Sequence, residues 1–226
     1  MRIAVISDIH GNLEALEAAL ADLERRGAVT VLVAGDLVGD GPDPDGVVGL
    51  VRARRFPAIR GNVDVKVLAT AALPEAEQAA LLERKKKADL VRTARQLGRA
   101  GLKWLEKLPG TLTLRFEGRV LQMVHGSPLG DTDYVFPSIT PAALAAKLGA
   151  ARPDVLACGH SHIPFTRRLL GVTVVNAGSV GRPVDGDPRG SYALVDIERG
   201  RSPRARIVRF PLSSRGAGAR IGSRRG

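Results

Sequence analysis

One cysteine in 226 residues excludes an internal disulfide, and with it the small stapled frameworks of many secreted proteins. Cys158 lies in an apolar run beside Gly159, the setting of a small buried thiol rather than a nucleophile. Aromatic residues make up only 4% of the chain, with a single tryptophan, so a surface that stacks on successive bases of a nucleic acid has little to draw on. Trp104 itself reads as core. No apolar stretch reaches the roughly 18 residues of a membrane-crossing helix, and the chain opens on a strand carrying an aspartate rather than on a leader. These features together predict a cytoplasmic protein with no membrane partner.

Acidic residues are missing after Glu198, where nine arginines follow. The net charge of +11 is therefore uneven: residues 1–198 hold 25 basic against 23 acidic side chains, and the excess belongs to a last strand and a Gly/Arg/Ser tail. The expected organisation is one domain over 1–212 with a helical insert at about 65–108, and a basic tail, 213–226, that is disordered and clings weakly to polyanions such as nucleic acid. A near-neutral core of this length can bury a large apolar interior without staples.

What is present is a repeated junction. Ile3, Ala4, Val5 and Ile6 form a buried strand that ends in Ser7, Asp8, Ile9, His10, Gly11 and Asn12. Alternation along an extended chain lets Asp8 and His10 point at one place. Asn12 is a good N-cap for the Leu13, Leu16, Leu20, Leu23 helix, which Gly27 closes. A second strand over 29–34 ends in Gly35 and Asp36, and a helix over about 44–54 leads to a short strand at 56–60 that ends in Gly61, Asn62, Val63 and Asp64. This order predicts a parallel, doubly wound half with its polar residues at the carboxyl ends of strands, where open sheets bind ligands. Residues 65–108 predict two or three helices, with the basic run at 84–87 as a solvated face. From Thr111 the period becomes two, predicting a hairpin around Gly118 that delivers His125, and a strand at 154–158 delivers His160 and His162.

All four histidines thus follow strands, three of them beside a glycine and His162 two residues after His160, in company with Asp8, Asp36 and Asn62. Imidazole, carboxylate and amide oxygen without thiolate suit Mn²⁺, Fe²⁺, Ni²⁺ or Zn²⁺. Seven side chains exceed one four-coordinate ion and suit two ions sharing a carboxylate. Two divalent ions less two aspartates and one hydroxide leave about one positive charge, which a phosphodiester neutralises.

The blocks Asp8/His10, Gly35/Asp36, Gly61/Asn62, His125 and Gly159/His160/His162 stand in the order D-x-H, G-D, G-N, H, G-H-x-H, and in this the chain resembles the calcineurin-like metallophosphoesterases. The phrases around residues 35–44 and 176–192 look like the bacterial branch grouped with diadenosine-tetraphosphatase-like proteins. The resemblance implies an α/β fold of four layers, two mixed sheets flanked by helices. It implies Asp8, His10, Asp36 and His162 on one metal and Asp36, Asn62, His125 and His160 on the other, with Mn²⁺ the leading ion. The expected activity is a phosphodiesterase on a small nucleotide-type diester, attacked by metal-bound hydroxide, with Asn62 and Arg182 binding substrate. A nuclease or RNA-processing enzyme and a non-catalytic scaffold are the alternatives. Two departures stand out: Val63 occupies the place where phosphatases of the family carry a proton-donating histidine, which favours leaving groups that need little protonation, or else leaves Asp64 or a metal-bound water as a substitute acid, and Asp40 stands where this branch often has an aromatic residue.

Overall fold

The computed structural model describes residues 1–28 and 30–212, without the side chains of Lys85 and Lys86. The expected basic tail, 213–226, and half of the basic run at 84–87 therefore lie outside the described residues.

Strand β1 (Arg2–Ile6) leads through the Asp8 loop into helix α1 (Leu13–Arg25), whose N-terminus is capped by Asn12 Oδ1 accepting from Ala15 N–H at 3.0 Å. Strand β2 (Thr30–Val33) pairs with β1 in parallel, and α2 (Pro44–Ala53) follows, capped by Asp43 and with proline at its start. The expected third strand at 56–60 is reduced to a single parallel bridge between Val33 and Ala58. Pro57 has no N–H to give, and Arg60 N–H leaves the sheet to donate to Pro109 C=O at 2.8 Å. Helices α3 (Asn62–Ala71), α4 (Glu75–Leu82) and α5 (Lys85–Glu106) come next, the last broken at Gly98, whose φ of 56° is not helical.

The hairpin is β3 (Thr111–Phe116) and β4 (Arg119–Val124), joined by Glu117 and Gly118, both at positive φ as a tight two-residue turn requires. Helix α6 (Pro141–Leu148) precedes β5 (Val155–Cys158), β6 (Phe165–Leu169), β7 (Val172–Asn176), β8 (Gly190–Asp196) and β9 (Arg204–Phe210).

Two mixed sheets result, in the orders β2-β1-β8-β9 and β3-β4-β5-β7-β6. The parallel half predicted for the N-terminal region is thus trimmed to one parallel pair, because β1 takes the antiparallel β8 as its other neighbour. Alternation sorts each strand between layers. Ile3 and Val5 join Leu121, Met123, Val155, Ala157, Ala193 and Val195 between the sheets, while Ala4 and Ile6 turn outward onto α1, α2 and α5. Leu156 and Cys158 face Leu144 and Leu148 of α6 on the other outer side. The layering is helices, sheet, sheet, helix, and a one-residue slip in β1 would exchange two apolar interfaces at once. Cys158 is buried here, and burial pushes its thiol up to about 12, as expected of an inert core cysteine. No described helix is long and apolar enough to cross a membrane.

One polar tie crosses the outer layer. Tyr192 on β8 donates its hydroxyl to Asp22 Oδ2 of α1 at 2.6 Å, and Arg26 and Arg25 donate to the same carboxylate. Burial would push Asp22 up, but hydrogen bonds from Arg26, Tyr192 and Arg25 outweigh it and hold the carboxyl below its ordinary value. A depressed folded pKa contributes stability above the unfolded value of about 3.9 that is lost as pH falls through the folded one. Tyr192→Phe should therefore cost about 1–2 kcal/mol at neutral pH. Asp22→Asn should lose less stability than wild type on acidification from about pH 6 to pH 3. Urea denaturation at both pH values reads both effects, and an equal acid loss in wild type and Asp22→Asn would refute the assignment.

Candidate metal centre

Both sheets present the carboxyl ends of their parallel strands at one end of the molecule. Asp8 follows β1 and Asp36 follows β2, while His125 follows β4 and His160 and His162 follow β5. Asn62 is the first residue of α3. The loops are sewn together by backbone: Ile9 and His10 N–H both donate to Asp36 C=O, Asp8 N–H to Gly35 C=O, and Gly159 N–H to His125 C=O. From the crossover between β7 and β8, Ser179 Oγ donates to Asp8 C=O at 2.7 Å.

The seven expected ligands converge. Asp8, His10 and His162 form one group, and Asp36, His125 and His160 the other, each with one potential ligand atom per residue within 4.8 Å of the rest. His162 Nε2 lies 3.0 Å from Asp8 Oδ1 and 3.2 Å from His10 Nε2. Asn62 extends the second group, its Oδ1 standing 3.1 Å from His125 Nε2. Asp36 Oδ2 is 3.7 Å from His10 Nε2 and 3.4 Å from His125 Nε2, and so faces both.

Five of these residues, Asp8, His10, Asp36, His160 and His162, adopt positive φ between 51° and 63°. Such a backbone is uncommon outside glycine and clusters where function requires it. The flanking glycines are required by close approach. A Cβ on Gly61 would fall 2.2 Å from Asp36 Oδ1, and one on Gly159 would fall 2.4 Å from Asp8 Oδ2.

The donor set fits divalent cations. His125 is placed to give its Nδ1 proton to Ala34 C=O at 2.8 Å and His162 its own to Arg182 C=O at 2.6 Å. In those tautomers both Nε2 lone pairs point into the cluster, toward carboxylate and amide oxygens that are acceptors themselves. Asp8 Oδ1 and His160 Nε2 are buried without a hydrogen bond among the described residues. Converging lone pairs of this kind repel unless a cation lies between them. Without a metal ion, protons feel the same pull: burial works against charge on His125, but the hydrogen bond and attraction to Asp36 push the imidazole up to about 10. Burial likewise opposes ionised Asp8, yet His10 and His162 hold its carboxyl well below the usual range.

Asp64 departs from its expected role, while Val63 and Arg182 flank the centre. Asp64 is fully buried, and its oxygens accept from Gly61 N–H at 2.8 Å, Val38 N–H at 3.0 Å and Leu37 N–H at 3.3 Å. Burial and the charge of Asp36 raise its carboxyl to about 7. A side chain enclosed in this way cannot reach a leaving group directly, so the expectation of a substitute acid that touches substrate is corrected to a fastener between the Asp36 and Asn62 loops. Val63 N–H donates to Asp36 Oδ1 at 2.8 Å, and its side chain packs against the helical core. Arg182 sits half-exposed at the rim, its guanidinium 3.7 Å from Asp40, whose other oxygen is 3.7 Å from His10 Nδ1.

Residues 1–200 match the calcineurin-like phosphoesterase superfamily domain. The chain belongs to that superfamily. A metallophosphoesterase structure from Sphaerobacter thermophilus is 30% identical, with a TM-score of 0.72 over 93% of this chain and 86% of that one. Phosphodiesterase YfcE of Escherichia coli is 26% identical over 209 residues, 87% of this chain and 88% of YfcE. A hypothetical protein from Pyrococcus horikoshii shares the fold, with a TM-score of 0.83 at 23% identity, covering 96% of this chain and 90% of that one.

Sequence reasoning missed two site neighbours, Tyr134 and Phe136. Tyr134 stacks on His160 with ring centroids 4.3 Å apart, and Phe136 stacks on Tyr134 at 5.1 Å. Their alternation around Val135 was a usable signal, since an apolar residue between two aromatics predicts one inward and two outward side chains.

Gly61→Ala tests the fit. It should lower stability by about 1–3 kcal/mol and reduce bound metal, because the new methyl must displace Asp36. Gly49→Ala, in α2 with nothing near its added Cβ, serves as control and should be neutral or slightly stabilising. Thermal denaturation and metal analysis after loading with Mn²⁺ read both, and identical behaviour of the two variants would remove Gly61 from the site's support.

Proposed function

We propose that the protein is a dinuclear-metal phosphodiesterase that hydrolyses a small nucleotide-type diester. The observation that carries this reading is the position of Asp36, one carboxylate facing both ligand groups. Asp8, His10, Asp36 and His162 would hold one ion, and Asp36, Asn62, His125 and His160 the other. Nitrogen and oxygen donors without thiolate suit Mn²⁺, Fe²⁺, Ni²⁺ or Zn²⁺, and among these Mn²⁺ is the leading ion only on the family resemblance. Bound divalent ions supply a water of lowered pKa and positive charge against the phosphoryl oxygens.

The chain's own residues do the remaining work. Ala34 and Arg182 carbonyls fix the tautomers of His125 and His162, keeping a lone pair toward the centre. The Asn62 amide and the rim guanidinium of Arg182 would hold phosphoryl oxygens as charge develops on them. Asp64 acts as a positioning residue through the backbone of Gly61, Leu37 and Val38. The 26% identity to YfcE, named a phosphodiesterase, supports diester over monoester chemistry, as does valine at position 63, which has no proton to give.

The direct test strips the protein with a chelator, reloads it with Mn²⁺ and assays bis(p-nitrophenyl) phosphate against p-nitrophenyl phosphate. Turnover should return with two ions per chain and favour the diester. Asp36→Asn should lose metal and at least about 100-fold in rate; retention of two ions and near-normal turnover in that variant would overturn the shared-carboxylate reading.

Leaving-group protonation gives a second expectation. Val63 cannot donate a proton and Asp64 is shut in among backbone amides, so rates across a series of methyl aryl phosphodiesters should fall steeply as the phenol pKa rises. A positioned acid typically contributes about 10² to 10⁴ in rate, and a flat dependence would show that another group supplies one.

A further inference from the structure

The loop between β4 and α6 puts two aromatic rings at the edge of the centre and holds them there. Val135 between them is buried in the cluster under α6. Ser127 and Lys147 both bind the Asp133 carboxylate, and Arg167 donates to Pro137 C=O at 2.7 Å and Ile139 C=O at 2.8 Å. Gly126 lies against the carbonyls of Asp133, Gly130 and Asp131 so closely that an added Cβ would collide with all three. The loop is thereby fastened on both sides of residues 134–136.

On that support the rings run outward from the candidate ligands. His160, Tyr134 and Phe136 form a ladder, with interplanar angles of 27° between the first pair and 9° between the second. The two outer rings remain 45% and 41% exposed. They are two of only eight aromatic side chains in the chain. Flat rings kept exposed on a fastened loop form a preorganised stacking surface, with ordering costs already met in the free protein.

We propose that Tyr134 and Phe136 are specificity-determining residues that stack on the planar base of a nucleotide-type substrate whose phosphoryl group lies at the metal centre. This rests on the phosphoesterase reading and deepens it by naming the group that the non-reacting part of the substrate carries. Stacking supplies area and a π face rather than base-edge hydrogen bonds, so the site discriminates the presence of a base more than its identity.

The test separates base from phosphate by using AMP and ribose 5-phosphate, which share the phosphorylated sugar and differ in the base. Calorimetric titration of the full chain loaded with Mn²⁺ should give AMP about tenfold or more tighter binding than ribose 5-phosphate, as one stacked base provides. Phe136→Leu keeps apolar volume without a flat face and does not touch His160, and it should shrink that ratio; Tyr134→Ala with Phe136→Leu should bring it close to one. Equal affinities in wild type, a ratio that survives both substitutions, or failure to bind either ligand would each overturn the proposal. A base-dependent ratio without diester hydrolysis would sink the phosphodiesterase reading and leave the stacking surface standing. Diester hydrolysis with equal affinities would do the reverse.

Discussion

The carboxylate of Asp36 is the constraint on which the rest of the centre depends. Its carbonyl holds the Asp8 loop through Ile9 and His10, its Oδ1 holds the start of α3 through Val63, and its Oδ2 faces His10 and His125. One residue thus ties β1, β2, α3 and β4 to a common point. Because it is buried, its charge acts at low dielectric, which strengthens both its pull on cations and the penalty for leaving it alone. Burial would raise its carboxyl, but the hydrogen bond and charge of His125 prevail and keep it below the ordinary value. The same fact explains Gly61, where only a hydrogen leaves room for Asp36 Oδ1.

Much of this was legible from the sequence because the junctions are local. Strand, glycine, aspartate and helix cap are all readable within twelve residues, as at Asp8 and Asn12, and α1, α2 and the hairpin fall close to where periodicity places them. The four-layer arrangement came from family resemblance. Periodicity alone suggested a larger parallel half, since it cannot show that β8, whose residues stand 188 to 194 positions from their partners, pairs with β1. The same limit applied to Asp64. Its place beside Asn62 suggested chemistry on substrate, whereas its partners at Leu37 and Val38 are more than 25 residues upstream. Tyr134 and Phe136 escaped notice because a low aromatic count was read as an average over the chain, and position rather than number gives them their place beside His160.

The left-handed backbone at Asp8, His10, Asp36, His160 and His162 is uncommon for residues with a Cβ, and the packed layers maintain it. Ile3, Val5, Ala157 and Val175 lock the strands from between the sheets, while Ala4, Ile6 and Cys158 lock them from outside. With strand ends fixed from both faces, the loops have little freedom to relax toward ordinary dihedrals. Burying each large side chain contributes on the order of 1.5–3 kcal/mol, against about 1–3 kcal/mol for each strained residue. The interior is therefore large enough to sustain the strain, and the orientation it produces is the one in which carboxylates and imidazoles converge.

That convergence links stability to cation binding. A folded chain with lone pairs of His125, His162, Asp8 and Asn62 directed at common points carries repulsion that its unfolded form does not. Any cation that binds only the folded form stabilises it by mass action, with a term that grows with its concentration relative to its Kd. Protons can fill part of this role, since the hydrogen bond and charge of Asp36 favour a charged His125 imidazole against its burial, but a proton satisfies one lone pair at a time. A divalent ion satisfies several together, and each of the two candidate groups offers it at least three ligand atoms. The residues that hold the loops in place, Ser179 on Asp8, Asp64 on the Asn62 loop and Val135 beneath the aromatic pair, thus fix the directions of the candidate ligand atoms and of the two exposed rings.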